Sequence, residues 1–97
     1  IIINIIIMTI TICIPKMNRN TKKTSIIDIF NFHNFGTIKK VDLILLGKNK
    51  RAFIHYSSWN NNEKSLNVKE ILENGEDFKM MYDMQCFWKC FNIQKKQ

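Results

Sequence analysis

Alternation and helical periodicity divide most of the chain into short elements. From Thr9 to Ile14 nearly every residue is β-branched. Ile10, Ile12 and Ile14 fall on one face of a strand, with Thr9, Thr11 and Cys13 on the other. Pro15, which cannot donate to a ladder, predicts the end of that strand. Ile26, Ile29, Phe30 and His33 then recur at helical spacing, and Ile27, Phe32 and Phe35 widen the apolar face. Asn20 or Thr21 can cap this helix, and Gly36 offers a left-handed stop. Between Thr37 and Leu46 alternation returns, with Val41, Leu43 and Leu45 opposed to Lys40, Asp42, Ile44 and Leu46. Gly47 to Lys50 is a short basic turn into Arg51–Tyr56, so the two strands predict an antiparallel hairpin. Ala52, Ile54 and Tyr56 share one face of the later strand; Arg51, Phe53 and His55 share the other. Asn60-x-x-Glu63 resembles a capping box before a thin helical stripe of Val68, Ile71 and Leu72, which Asn74-Gly75 ends. Phe78 to Tyr82 predicts a last strand, with Lys79 and Met81 opposed to Phe78, Met80 and Tyr82. Met84 to Gln97 holds Phe87, Trp88 and Phe91 among lysines and receives no element.

The predicted order is β-α-β-β-α-β. Right-handed crossovers fold such a chain into an α+β, ferredoxin-like sandwich: a four-stranded antiparallel sheet with two helices on one face and strands 1 and 3 in the centre. The Ile10, Val41, Ile54 and Met80 sides of the four strands can all turn toward the helices. The expected domain spans residues 8–83. It is preceded by an apolar tail, 1–7, with Met8 as a plausible native start, and followed by a basic aromatic tail, 84–97.

Composition changes this picture in one respect. Fifteen Lys+Arg against eight Asp+Glu give a net charge of +7, which favours polyanionic partners. Part of the excess has a plainer source, because Ile, Asn and Lys dominate, as in translations of AT-rich genes. Cys13, Cys86 and Cys90 form no framework and are expected to be reduced thiols in an intracellular, non-secreted protein. With His33 and His55 far off in sequence, no metal or other cofactor is expected. The apolar opening, at about 14 residues, falls short of the roughly 20 that a spanning helix needs, so no membrane association is expected. Asp28, Asp42, Asp77 and Asp83 are scattered, and neither a Gly-rich phosphate loop nor a nucleophile–base pair is evident. The expectation is a non-enzymatic monomer without a small-molecule substrate.

Asn49-Lys50-Arg51-Ala52-Phe53-Ile54-His55-Tyr56 matches the second half of the octet K/R-G-F/Y-G/A-F-V-x-F/Y, and Ile12 to Met17 looks like the accompanying hexamer I-Y-I-x-N-L. On these residues the chain resembles the RNA recognition motif (RRM) family over about Met8 to Asp83. The run GKNKRAFIHYSSWNNN, with the later FWK, also resembles RRM-like proteins predicted in giant DNA viruses, which would put it in a host cell's cytoplasm.

The resemblance implies a single-stranded nucleic acid as partner, bound by stacking bases on aromatics of the open sheet face. The family binds RNA; single-stranded DNA is left open, because no contact that reads the 2′-hydroxyl is visible in the sequence. Of three aromatic positions only Phe53 matches; Cys13 and Arg51 stand at the others, and Lys50 replaces the octet glycine. The expected contacts are Phe53, Arg51, His55, Lys50, Lys48, Lys40, Lys79, Cys13 and Met81. Arg51 can stack its guanidinium on a base or pair with a phosphate. One ring and a few lysines imply weak, largely electrostatic binding. The alternative is an RRM-like protein–protein interaction module, its platform eroded or covered by Phe87, Trp88 and Phe91 of the tail. Trp59 is expected to anchor the core or its rim, and Lys22-Lys23 and Lys39-Lys40 to be solvated surface.

Overall fold

A computed structural model describes residues 10–93. β1 (Ile10–Asn18), α1 (Lys23–His33), β2 (Gly36–Leu46), β3 (Asn49–Trp59), α2 (Glu63–Glu73), β4 (Phe78–Asp83) and β5 (Cys86–Asn92) follow one another along the chain. The strands form one five-stranded sheet in the order β2-β3-β1-β5-β4, and every neighbouring pair is antiparallel. The architecture is α+β, with both helices contributing to a core on one sheet face: Ile26 and Phe30 from α1, Val68 and Leu72 from α2. The strands answer on the expected sides with Ile10, Ile12, Ile14, Val41, Ala52, Ile54, Tyr56 and Met80, and with Trp88 and Cys90 from a segment for which no element was expected. Leu45, expected on the Val41 side, is 54% exposed.

β1 and β3 are neighbours in the interior, as expected. The sheet has a fifth strand where a tail was expected. β5 separates β1 from β4, and its residues do not lie over the open face. Trp88 explains why: it is 5% exposed and stacks on Phe30 of α1 with ring centroids 6.4 Å apart and on Tyr82 at 4.5 Å. A side chain of that size buried against α1 fixes which face of β5 turns inward.

Pro15 does not end β1. The register against β3 slips by one residue between Ile14 and Met17, a bulge that accommodates the missing N–H within a central strand and returns Met17 to the core. The end of α1 also differs. Asn34, at φ 53°, takes the left-handed position, which its short polar side chain tolerates. Gly36 lies instead at the start of β2, where a Cβ would press on the Ser58 carbonyl oxygen and come 2.9 Å from Trp59 Cα. No side chain caps the start of α1, whose N-cap is Lys22.

Asn62, not Asn60, caps α2, accepting from the Ser65 amide at 2.8 Å. The Asn60 side chain donates to the Asn34 carbonyl at 2.7 Å and ties down the end of α1. The stop of α2 is as expected: Gly75 N–H donates to Leu72 and Glu76 N–H to Ile71, the two bonds of a Schellman turn. Phe32 leaves the apolar face of α1 and is 84% exposed. Trp59 anchors the rim, stacked on Phe35 at 5.5 Å with its indole donating to the Ser65 carbonyl. No helix among the described residues is long and apolar enough to cross a membrane.

Candidate nucleic-acid interface

The sheet face away from the helices is built by the residues that alternate with the core. Register places them in rows. Asp42 is opposite Phe53, Phe53 opposite Cys13, and Cys13 opposite Phe91, so one row crosses four strands. Neighbouring strands lie about 4.8 Å apart. Phe53 and Phe91 therefore flank Cys13 with their backbones about 10 Å apart. Both rings are half-buried, and Cys13 between them is 2% exposed. Burial pushes the Cys13 thiol above its ordinary value, and the Arg51 guanidinium offsets only part of that. The sulfur is thus a neutral floor between two rings.

The row on one side is polar. Lys40 is opposite His55, and His55 opposite Thr11. His55 Nε2 lies 2.9 Å from Asp42 Oδ2, and Nδ1 lies 3.2 Å from the Thr11 hydroxyl. Lys40 Nζ approaches the same Asp42 oxygen at 3.9 Å. The hydrogen bond from His55, aided by the charge of Lys40, holds the Asp42 carboxyl below its usual range. Hydroxyl, imidazole and carboxylate stand here in the order of a nucleophilic triad. Thr11, however, sits in a strand hydrogen-bonded on both sides, with Ile93 N–H bonded to its carbonyl. The chain of bonds links β1, β3 and β2 across the face.

On the other side of the Phe53 row, Arg51 is opposite Ile44 and donates from Nε to the Pro15 carbonyl at 3.4 Å. That bond uses one of five guanidinium donors. Toward β4, Lys79 is opposite Lys89 and Met81 opposite Phe87, and Lys79 Nζ lies 5.0 Å over the Phe87 ring.

The expected site residues therefore divide. Phe53, Arg51, His55, Lys40, Cys13, Lys79 and Met81 share the open face. Lys48 is exposed in the two-residue turn with Gly47 that joins β2 to β3. Lys50 lies elsewhere: it shares the parity of Ala52 and Ile54, and Nζ donates to the Thr21 carbonyl at 2.9 Å, in the connection before α1. His55 lies within β3, bonded to Asp42 of β2 and Thr11 of β1. Phe91, Lys89 and Phe87 belong to the face and were absent from the expected set. Their signal was available, since Cys86–Asn92 alternates Phe87, Lys89, Phe91 against Trp88 and Cys90.

Two clefts lie on the other side, between the helices and β4. One, of about 550 Å³, is lined by Ile29, Phe32, His33, Tyr82 and Met84 among others; the second, of about 510 Å³, by His33, Val68, Ile71 and Phe78. His33 stands between them, its Nδ1 2.9 Å from Lys64 Nζ. Among the described residues no three His, Cys, Asp or Glu side chains gather as a metal site. No protein-family model, curated protein or solved structure matches the chain.

Proposed function

We propose that this chain is an RRM-like domain that binds single-stranded RNA, weakly and with a large electrostatic share, across the open face of its sheet. In this reading β5 takes the place that the fourth strand holds beside strand 1 in a ferredoxin-like sheet. The supporting observation is the row Phe53–Cys13–Phe91 with Arg51 beside it. Two rings and a guanidinium on one sheet face that also carries lysines can receive base faces while those lysines approach phosphates. Phe91 matters most, because it returns to the row the aromatic surface that Cys13 lacks. Asp42 opposes a phosphate, but its charge is already engaged by His55 and Lys40.

A titration of labelled single-stranded RNA at several salt concentrations tests the reading. About three phosphate contacts give a log–log salt slope near −2. Phe53→Ala and Phe91→Ala weaken binding roughly ten-fold each with little change in slope; Arg51→Ala weakens it and flattens the slope. A wild-type slope near zero overturns the reading and favours a protein-binding role for the same domain.

A further inference from the structure

The corner of the open face formed by β4 and β5 contains an arrangement that fold stability does not explain. Lys79 and Lys89 stand directly opposite each other, and like charges in that position are destabilising. Neither forms an ion pair with a carboxylate among the described residues. A lysine on an edge strand guards against strand addition, which accounts for Lys79 on β4. Lys89 is on an interior strand, which β4 flanks on one side and β1 on the other; the pairs with β1 are at Asn92 and at Phe91, two residues after Lys89 on the same face.

Along β5 the open face reads Phe91, Lys89, Phe87. Every second residue of a strand advances about 7 Å, so ring, cation and ring follow one another at even steps. Phe91 and Phe87 therefore stand about 14 Å apart with Lys89 midway, so a strand that lays a base on each ring spans more than one nucleotide and carries its phosphates past Lys89. Trp88 and Cys90, both buried in the core, hold the opposite face of β5 and so fix the direction of all three outward side chains. Lys79 already leans over Phe87, within reach of a phosphate at Lys89.

We propose that β5 carries a second subsite: one phosphate between Lys79 and Lys89, with the next base stacked on Phe87. The inference rests on the RNA-binding reading above and extends it. The ligand runs along β5 past the Phe53 row, and oligonucleotides long enough to reach Phe87 bind more tightly than those that cover only Phe53 and Phe91.

The test is a titration of a dinucleotide and an octanucleotide of uridine, each against wild type, Phe87→Ala, Lys79→Gln/Lys89→Gln and the control Lys22→Gln/Lys69→Gln. The control removes two charges away from the open face. All the substituted side chains except that of Lys69, which is half-buried, are exposed, and circular dichroism verifies that each variant is folded. The octanucleotide is expected to lose roughly ten-fold in affinity to Phe87→Ala. The paired Lys79/Lys89 variant is expected to flatten its salt slope by about 0.7, one phosphate contact on a single strand. The dinucleotide is expected to be indifferent to Phe87→Ala. If wild type binds the octanucleotide and Phe53→Ala weakens it, while the β5 variants behave like wild type or like the control pair, the subsite is overturned and the RNA-binding reading stands. If wild type binds neither oligonucleotide in a salt-dependent way, both fall.

Discussion

His55 Nε2 stands 2.9 Å from Asp42 Oδ2 across the β2–β3 ladder, on the same sheet face as Phe53, Arg51 and Lys40. The hydrogen bond from His55 keeps the Asp42 carboxyl below its ordinary value of 3.8. A carboxylate whose folded value is depressed contributes stability that is complete above its unfolded value and disappears as the pH falls through the folded one. Wild type is therefore expected to lose stability below pH 3.8 more steeply than Asp42→Asn. Thermal denaturation followed across the acid range checks this; parallel curves for the two proteins contradict it.

His33 obeys the same linkage at a higher pH. Burial, followed by the Lys64 ammonium, lowers its value from 6.5. The unfolded chain binds a proton there more readily than the folded one, so stability is complete above pH 6.5 and declines as the pH drops through the lower folded value. His33→Gln is expected to abolish that decline. Lys64→Met, by removing a like charge, is expected to raise the imidazole value in an NMR titration; an unmoved titration argues against the contact.

Trp88 ties β5 to α1. Its replacement by Ala is expected to cost about 3–5 kcal/mol, the range for large aromatic deletions from a core. A chain ending at Asp83 is expected not to fold cooperatively, because it lacks the strand that joins β1 to β4. Denaturant unfolding of both proteins is the measurement, and a sharp transition in the shortened chain would show β5 to be dispensable.

Two glycines make a contrast. At Gly36 a methyl group meets the backbone of Ser58 and Trp59, which can yield only by separating β2 from β3. At Gly47, φ 59°, nothing lies within 4 Å, and only the left-handed backbone objects. Gly36→Ala is expected to cost about 1–3 kcal/mol, as overpacking does, and Gly47→Ala about 1 kcal/mol. Equal costs would place Gly36 in a looser setting.

Periodicity revealed which side of each strand faces the core, because alternation is a property of the strand itself. Val41, Ile54 and Met80 all lie where parity put them, and Phe53 and Arg51 share the opposite face. Pro15 misled for a local reason: a missing N–H ends a regular ladder but not a bulged one. Gly36 misled because glycine serves close approach as readily as positive φ, and Asn34 took the left-handed turn in its place. Lys50 was grouped with its neighbours in the chain although its parity sent it to the helix side. The placement of β5 was not legible at all. The alternation in Cys86–Asn92 marks a strand, but which strands become neighbours depends on what Trp88 can be buried against, a property of the assembled fold.

Ile12 pairs with Asn92 and Cys13 with Phe91, so strands near the two limits of the described chain are joined in the middle of the sheet. Contacts so distant in sequence carry a high loop-closure cost and slow folding. The β4–β5 hairpin is local and can form alone, whereas β1 keeps one bare ladder edge until that hairpin docks. During synthesis this edge waits for almost the entire described chain to emerge, exposing unpaired N–H and C=O groups beside Ile12 and Ile14. The same insertion that brings Phe91 next to Cys13 therefore makes the nascent protein prone to edge-to-edge association, and gives chaperones a defined interval in which to act.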